Sequence, residues 1–363
     1  MARLGCEVDL MIGKNQVNII NEALPYYGLE KHENLRIHSI PILRIEKERG
    51  LRISSNTVFH LTSLLKIWHL IHQKVYDAIY LRHLNLAQYF LPWKKILHLP
   101  LIFEAHEIFF LTTERKEKKR RIQAQESNLY PQLDGFVAIT HGVEESLREI
   151  FQIQVPIEVI PDGVNLPFFT RERPRPKNNK IIYVGQLYPW KGVGTLIESI
   201  RYLSEGELHL VGGADEQVQK LKESLLPKGI QGRVFFYGQL PPNLVRAHLM
   251  EAAVAVMPLT QQNMISARFT SPLKLFEYMA ARVPIVASDL PSVREILTNG
   301  VNALLVSPDD PQALAKGIKQ ILKDDEMAER LSQKASQDVS LYSWDKRGER
   351  IIRFLRSLAE SGC

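Results

Sequence analysis

The residues from 270 to 281 combine a predicted helix start with charged side chains that suit an anion. Ser271 is a preferred N-cap residue and Pro272 suits the first helical position, so the sequence predicts a helix that runs to Ala281. Lys274 and Glu277 are three residues apart and share one side of it. Free N–H groups and a lysine at a helix N-terminus bind anions, and a carboxylate one turn later accepts hydrogen bonds from a vicinal diol. The pattern predicts a site for phosphate next to ribose, with an ordinary Lys274–Glu277 surface pair as the alternative.

The other side of this helix is apolar. The residues predicted to face the core recur at helical spacing and are Leu273, Phe276 and Ala280. The side with the charged pair should therefore face a cleft.

A second candidate anion site follows the predicted strand 181–184. Gly185 lets the backbone approach a ligand, and Lys191 brings an ammonium group that could contact phosphate. The spacing matches neither the dinucleotide fingerprint nor the P-loop, which excludes both assignments. Gly212 ends a second strand in the same half of the chain. The alternatives are plain turns at the glycines and a solvated side chain for Lys191.

Candidates in the first half and at the junction stand at strand ends and turns. His106 follows the predicted strand 101–104, and Arg82 follows the strand that ends at Leu81. A structural histidine is the alternative for His106. Asp162 and Asn165 belong either to a plain turn or to a loop that lines a cleft.

A dense basic run, Arg115–Arg121, follows the apolar residues 109–111. Such a run forms either a solvated helix face or a patch that docks on anionic lipid. Nucleic acid is the weaker hypothesis, because no aromatic interleaving and no nucleic-acid-binding motif accompanies the run.

Composition bounds the class of protein. The chain has 363 residues, 45% of them hydrophobic, which predicts two domains. A formal charge of +6 favours acidic ligands or an anionic membrane surface without requiring either. Cys6 and Cys363 stand at opposite ends, so no disulfide framework is expected and a reducing compartment is favoured. We find no signal peptide and no transmembrane pattern, which favours a cytoplasmic location.

Predicted strands alternate with predicted helices along the whole chain, which is typical of parallel sheets covered by helices. The strands are predicted at 7–12, 78–81, 101–104, 135–139, 155–160, 181–184, 207–211, 234–237, 254–257, 284–287 and 303–306. The helices include 58–75, 85–91, 140–151, 192–203, 216–225, 273–281 and 292–297. The Pro-rich, charged run Arg171–Lys180 reads as a linker. The prediction is two doubly wound α/β domains with a cleft between them.

In their order along the chain, these segments resemble glycosyltransferase family 4, whose members are retaining enzymes with the GT-B fold of two Rossmann-like domains. The resemblance covers nearly the whole chain. The segments that carry it are Leu4–Val8, Tyr80–Arg82, Glu104–Glu107, Val159–Asn165, Val184–Leu187, Trp190–Gly192, Gly238, Leu240–Pro241, Ser271–Ala280, Pro284–Asp289 and Glu295.

The resemblance implies roles for the candidates. Glu277 would hold the donor ribose, Lys191 the diphosphate, and the amides of the segment Ser271–Leu273, which includes Pro272, a distal phosphate. His106 would lie near the transferred sugar. The donor site would also include Gly185, Gln186, Gly212 and Lys274. Arg82, Asp162 and Asn165 would line the acceptor side, and the catalytic set would be His106, Lys191 and Glu277. Residues 1–165 would form the acceptor-side domain, 166–342 the nucleotide-sugar domain, and a helix at 343–363 would cross back.

Three departures from the family pattern accompany these expectations. Phe269 stands where the family has the first of two glutamates, and Gln186 stands where it usually has an arginine. Losing that arginine removes a charge-assisted hydrogen bond of roughly 1.5–3 kcal/mol. Members also begin with a strand and a Gly-rich loop before the first helix. We therefore expect the first sheet to lack its first strand, through an internal start in a longer reading frame or a truncated homologue.

The function implied is transfer of a sugar from a nucleoside diphosphate sugar to an acceptor hydroxyl, in glycan, polysaccharide or glycolipid synthesis. The resemblance implies no cofactor and no metal, because the helix dipole and lysines stabilise the departing diphosphate. The expected partners are the donor, a sugar, lipid-linked or small-molecule acceptor, and a membrane surface at Arg115–Arg121. The alternatives are a nucleotide-sugar epimerase and a catalytically silent binding or assembly subunit.

Overall fold

The structure is a computed structural model that describes residues 1–13, 24, 30–40, 55–169, 173, 176–225 and 229–361. Cys363 and part of the predicted linker Arg171–Lys180 lie outside these ranges. The chain divides into two compact units. The first comprises Met1–Ala138, Glu144–Ile160 and Gly348–Cys363, and the second comprises Ile139–Val143 and Pro161–Arg347.

The first half of the chain contains six strands and six α-helices within the described ranges. The strands are β1 (Val8–Gly13), β2 (Leu35–Ile40), β3 (Ile79–Leu81), β4 (Leu101–Ala105), β5 (Gly135–Ala138) and β6 (Ile157–Val159). The helices are α1 (Ser55–Ile71), α2 (Leu84–Phe90), α3 (Lys94–Leu97), α4 (Phe109–Thr112), α5 (Lys116–Leu129) and α6 (His141–Phe151).

Parallel pairing organises the first unit. β1 pairs with β2, Val8 lying opposite Leu35, and β3, β4, β5 and β6 form a second parallel sheet in that order. β2 was not predicted, because its six residues gain strand partners only through a pairing with β1 that spans 27 positions. The core of the larger sheet includes Ile102 and Val137 together with Phe354 of the C-terminal helix.

The second half contains the remaining elements. The strands are β7 (Lys180–Val184), β8 (Glu207–Val211), β9 (Val234–Gly238), β10 (Val254–Met257), β11 (Ile285–Ser288) and β12 (Leu304–Val306). The helices are α7 (Val193–Ser199), α8 (Asp215–Leu225), α9 (Pro242–Met250), α10 (Leu273–Ala280), α11 (Pro291–Arg294), α12 (Pro311–Lys323), α13 (Asp325–Asp338) and α14 (Trp344–Ser361).

The six strands of the second unit form one parallel sheet in the order β12, β11, β10, β7, β8, β9. The chain starts this sheet in the middle at β7, moves outward through β8 and β9, and returns to the other side at β10. The strand order therefore reverses between β7 and β10, and ligands of such sheets bind beyond the carboxyl ends of strands at that point.

Apolar side chains cover both faces of this sheet. Ile181 and Tyr183 of β7 belong to one buried cluster, and Ile182 and Val184 belong to the other. Successive side chains of a strand point to opposite faces, so a continuous apolar run is what a strand between two helical layers needs. The two doubly wound α/β units predicted from the sequence are confirmed.

Some helices differ from the prediction. α9 was not predicted, and the helix predicted at 292–297 is the shorter α11, Pro291–Arg294. Within the described ranges, no helix is both long and apolar enough to cross a bilayer.

Candidate functional site

Gly185, Gly212 and Gly238 place main-chain atoms close together at the carboxyl ends of β7, β8 and β9. Gly185 donates its N–H to Val211 O at 2.9 Å, and Gly212 donates to Gly238 O at 2.6 Å. A Cβ added to Gly212 would lie 2.2 Å from Gly185 O, and the φ of Gly212 is 114°. Only glycine satisfies both conditions. The strand ends thus leave room for a ligand to approach the main chain.

The loop after β7 is fixed at the point where the strand order reverses. Pro189–Lys191 form a 3₁₀ turn that ends at Gly192, whose φ is 69°. A Cβ added to Gly192 would lie 1.6 Å from Pro258 O, just after β10. The loops that follow β7 and β10 are therefore in direct backbone contact, which holds Lys191 at the switch point of the sheet.

Lys191 carries a desolvated ammonium group. Its Nζ lies 4.0 Å from the centroid of the Trp190 ring, and burial lowers the pKa of Lys191 to about 8. Tyr188 lies parallel to Trp190, with ring centroids 6.2 Å apart. Among the described residues, no carboxylate forms an ion pair with Lys191. A partly buried cation without a carboxylate partner is a candidate site for an anionic ligand.

Helix α10 is anchored to β7 by Tyr278. The Tyr278 hydroxyl accepts a hydrogen bond from Val184 N at 2.8 Å and donates to Val184 O at 3.3 Å. Burial raises the pKa of Tyr278 well above its usual range. Because Val184 directly precedes Gly185, this side chain ties the helix to the start of the glycine loop.

The start of α10 corrects the sequence prediction. Pro272, not Ser271, is the N-cap residue, and the helix begins at Leu273. The Ser271 hydroxyl instead accepts a hydrogen bond from the Asp162 N–H at 2.9 Å. It is therefore bonded to the segment that follows β6 and does not cap the helix. Pro272 is extended, with φ −77° and ψ 109°, and therefore lies outside the helix.

The two faces of α10 were predicted correctly except at Leu273, which is 45% exposed. Phe276 and Ala280 are buried as expected. Leu273 stands two residues before Leu275, the first buried residue of the helix, and its side chain projects beyond the core.

Lys274 and Glu277 form the charged face of α10. Lys274 Nζ lies 3.1 Å and 3.0 Å from the two carboxylate oxygens of Glu277. The side chains are 35% and 26% exposed. A partly exposed pair at this spacing contributes only about 0.2–0.5 kcal/mol, so a ligand can replace it at little cost.

Phe269 lies in the core rather than on a ligand-facing surface. It is fully buried and ends a π-helical turn, Ile265–Phe269, that leads into α10. Ser292 of α11 donates to Ser266 O at 2.6 Å and fixes this turn. The position that departs from the family pattern therefore has a packing role.

The remaining predicted residues of the second unit differ in their surroundings. Gln186 is exposed, while its carbonyl accepts a hydrogen bond from the Tyr183 hydroxyl at 2.7 Å. The Asp162 carboxylate lies 3.7 Å from Arg347. Asn165 is half-buried before the 3₁₀ turn Leu166–Phe168.

His106 belongs to the first unit and directly follows β4, as predicted. Its Nε2 lies 2.5 Å from Glu104 Oε1, and the Tyr80 hydroxyl donates to the same carboxylate. Glu104 and Tyr80 were not singled out as partners, because they meet only when β3 pairs with β4. Arg82, one residue after β3, is exposed.

A buried carboxylate holds the segment that follows His106. Glu126 of α5 accepts hydrogen bonds from Phe109 N at 2.8 Å, from Phe110 N at 3.0 Å and from the Tyr130 hydroxyl at 2.9 Å. Burial raises the pKa of Glu126 even though these hydrogen bonds oppose the shift. Sequence reasoning missed Glu126, because a glutamate inside a polar helix gives no sign of burial.

The structure thus brings the donor-side candidates together in the second unit and places His106 and Arg82 in the first. The second unit joins Gly185, Gly212 and Lys191 at the strand ends with the helix that carries Lys274 and Glu277. Within the described ranges, no cluster of three or more His, Cys, Asp or Glu side chains has an arrangement that could hold a metal ion.

Two family models match consecutive parts of the chain. The model for glycosyl transferases group 1 matches residues 167–338, and the model for Glycosyltransferase Family 4 matches residues 1–168.

Curated relatives agree with these models. A D-inositol 3-phosphate glycosyltransferase of Corynebacterium urealyticum is 26% identical over 267 residues, 67% of this chain and 61% of that protein. A phosphatidyl-myo-inositol mannosyltransferase of Mycobacterium leprae is 29% identical over 213 residues, 56% of this chain and 54% of that protein. The aligned regions thus span 54% to 61% of the length of these two relatives.

Solved structures share the fold. Sucrose-phosphate synthase from Thermosynechococcus elongatus matches with a TM-score of 0.76 and 21% identity, over 99% of this chain and 91% of that one. Anabaena HepE in complex with UDP matches with a TM-score of 0.70 and 18% identity, over 96% of this chain and 99% of that one. These structures show the GT-B fold of two Rossmann-like units, and the two family models, which together span residues 1–338, show that the chain belongs to glycosyltransferase family 4.

Proposed function

We propose that the protein transfers a sugar from a nucleoside diphosphate sugar to an acceptor hydroxyl with retention of anomeric configuration. The observation that carries this proposal is the partly buried Lys191 ammonium, which has no carboxylate partner among the described residues and lies at the switch point of the sheet. A diphosphate supplies the negative charge that this group lacks.

The donor is held by the residues around this cation. Glu277 accepts hydrogen bonds from the ribose diol once its weak pair with Lys274 opens. Lys274 and the first amides of α10 then face a phosphate. Gly185 and Gly212 leave the main chain accessible at the strand ends. In this proposal, Ser271 acts by fixing the start of the helix through Asp162 rather than as a ligand.

Transfer is driven by stabilisation of the departing diphosphate. Lys191 and the helix N-terminus are positive before the reaction begins, so they need no reorganisation as charge develops. We propose that these groups suffice without a metal. His106, held by Glu104, is assigned to the transferred sugar, and Arg82, Asp162 and Asn165 to the acceptor side.

The neighbours guide the choice of substrates. Anabaena HepE was crystallised with UDP and with UDP-glucose. The mycobacterial relative is named for phosphatidyl-myo-inositol as acceptor. These names support testing uridine nucleotides first and acceptors from glycan, polysaccharide or glycolipid synthesis. A cytoplasmic location remains part of the proposal.

Calorimetric titration with UDP, GDP and ADP tests the donor site. At least one should bind, and Lys191→Met should weaken it by about 10- to 100-fold, the loss of a charge-assisted contact. Lys319→Met is the matched control, because Lys319 is an exposed lysine of α12. Failure of all three nucleotides to bind, or equal binding by Lys191→Met, would contradict the proposal.

Turnover tests the role of Glu277. With a donor that binds, Glu277→Gln should reduce release of nucleoside diphosphate by about 10- to 100-fold, because an amide accepts the ribose hydrogen bonds less strongly than a carboxylate. A chelator should leave the wild-type rate unchanged. Unchanged release by Glu277→Gln would refute the assignment.

A further inference from the structure

Helix α1 carries large apolar side chains on its solvent side. Leu61, Leu65 and Trp68 are 50%, 70% and 42% exposed, and their spacing places them on one face of the helix. Leu70 on the opposite side of the helix and Leu64 at the edge of this face are each 7% exposed. The helix therefore covers the core of the first unit and still presents a second apolar face.

The neighbouring segment also carries exposed apolar side chains. Tyr89 is 37% exposed, Trp93 42% and Ile96 49%. The buried His60 ring of α1 lies 4.5 Å from the Tyr89 ring of α2, so the two helices pack against each other. We call the exposed residues of both groups the apolar face: Leu61, Leu65, Trp68, Tyr89, Trp93 and Ile96. Exposed apolar side chains on two helices that pack together are typical of an interaction site.

The sequence around the apolar face is almost free of acidic residues. Between residues 55 and 103 the only one is Asp77, against five lysines and arginines. Lys94 is paired with Asp134 at 2.6 Å, while the adjacent Lys95 is exposed. The segment is therefore both apolar and cationic, which favours an anionic partner.

Helix α5 adds further cations beside the apolar face. Gln125 donates to Asn85 Oδ1 at 2.9 Å and to Gln88 Oε1 at 2.7 Å, which places α5 against α2. Lys118 and Arg121 lie seven and four residues before Gln125, so they project from the same side of α5, and both are exposed. Residues 114–121 contain six basic and two acidic side chains.

We propose that the apolar face and the α5 cations dock the first unit on an anionic lipid bilayer. Trp68 and Trp93 would lie at headgroup depth, where indole rings are favoured, and the leucines at the acyl boundary. Lys118 and Arg121 would contact lipid phosphates. A protein partner would also suit aromatic residues, but the near absence of acidic groups favours the bilayer. The surface includes no residue of the donor site, so this inference stands or falls independently of the proposed function.

Vesicle flotation of the full chain tests the docking. The protein should float with phosphatidylcholine vesicles that contain phosphatidylglycerol and much less with phosphatidylcholine alone, and added salt should weaken binding. Lys118→Gln with Arg121→Gln should reduce binding about fivefold for each charge removed. Leu61→Ser, Leu65→Ser and Trp68→Ser together should reduce it at least about tenfold.

Matched controls come from the second unit. Leu341 is 68% exposed, close to the value for Leu65, so Leu341→Ser should leave binding unchanged. Lys316→Gln with Lys319→Gln removes two exposed lysines of α12 and should have no effect on vesicle binding. Circular dichroism checks that each variant is folded.

Tryptophan fluorescence provides a second measurement. Brominated lipid should quench the wild-type emission, and Trp68→Phe should reduce the quenched fraction while binding persists. The proposal is overturned if the wild type does not float with anionic vesicles, if the apolar variant floats equally well, or if sedimentation shows that the apolar face is covered by a second copy.

Discussion

Lys191 is a lysine whose ammonium rests on an indole ring instead of a carboxylate. Its Nζ lies 4.0 Å from the centroid of Trp190. An indole face attracts a cation but leaves its charge uncompensated, so the group stays available for an anionic ligand. Trp190 is in this sense a positioning residue for Lys191.

This geometry predicts a pH dependence of nucleotide binding. Burial lowers the pKa of Lys191 to about 8, so the ammonium is mostly charged at pH 7 and mostly neutral at pH 9. The affinity for a nucleoside diphosphate should therefore fall about tenfold over this interval. Trp190→Gln exposes the ammonium to water, raises its pKa and should move the decline to higher pH. Calorimetric titration at several pH values measures both effects.

Lys191→Met is the reference for this experiment. The affinity of this variant for the nucleoside diphosphate should be low and nearly independent of pH between 7 and 9. A wild-type affinity that does not change in this range would show that Lys191 does not bind the nucleotide.

The element that decides the site is the loop between β7 and α7. Gly192 at the end of this loop and Gly194 in the first turn of α7 have different surroundings. Gly192 has a φ of 69° and would bring a Cβ within 1.6 Å of Pro258 O, whereas a Cβ on Gly194 would meet nothing within 4 Å. The first is required by the packing of two loops, and the second is not.

Alanine substitutions should therefore act in opposite directions. Gly192→Ala should lower the free energy of unfolding by about 2 kcal/mol or more, through backbone strain and the displaced Pro258 carbonyl. Gly194→Ala should raise it by roughly 0.5–1 kcal/mol, because alanine favours the helix. Urea denaturation followed by circular dichroism gives both values. Equal effects of the two substitutions would argue against the described contact.

At the scale of the whole molecule, one buried carboxylate of the first unit binds side chains that lie far from it along the chain. The Asp9 carboxylate of β1 is 3% exposed and lies 2.7 Å from Lys74 Nζ and 2.6 Å from His38 Nε2. The Tyr76 hydroxyl donates to it at 2.8 Å. Burial alone would raise the pKa of Asp9, but the hydrogen bonds from Lys74, His38 and Tyr76 together lower it to about 2.

This network predicts a loss of stability in acid. The folded-state pKa is below the unfolded value of about 3.9, so the stabilisation is present above that value and is lost as the pH falls towards 2. Its size is on the order of 1 kcal/mol once solvent screening is allowed for. Asp9→Asn should be less stable at pH 6 and should lose this pH dependence. Urea denaturation between pH 2 and 6 measures the free energy of unfolding of both proteins. If this free energy falls with pH as steeply in Asp9→Asn as in the wild type, the acid sensitivity comes from other groups.

Predictability from the sequence differs between local and distant features. The strand into Gly185 and the Lys274–Glu277 pair were predictable because they depend on neighbours within one turn or one strand. The role of Ser271 was not, since its partner Asp162 is 109 positions away. The exposure of Leu273 was missed for a related reason: helical spacing fixes a direction around an axis, but not how far the core extends along it.

By itself, the sequence determined the alternation of strands and helices, the family, and the residues that could bind phosphate and ribose. The family follows from the resemblance of the motifs in their order along the chain, and the rest from periodicity, turn chemistry and residue type, which are local properties. Only the tertiary structure showed that Lys191 lies on Trp190, that Tyr278 ties α10 to β7, and that Glu104 and Glu126 hold His106 and its loop. Tyr278 and Glu126 bind partners far along the chain. The neighbours Lys191 and Trp190, like Glu104 and His106, are close in sequence but adopt this geometry only in the folded chain. The reason is that burial and hydrogen bonding depend on distance in space rather than along the chain.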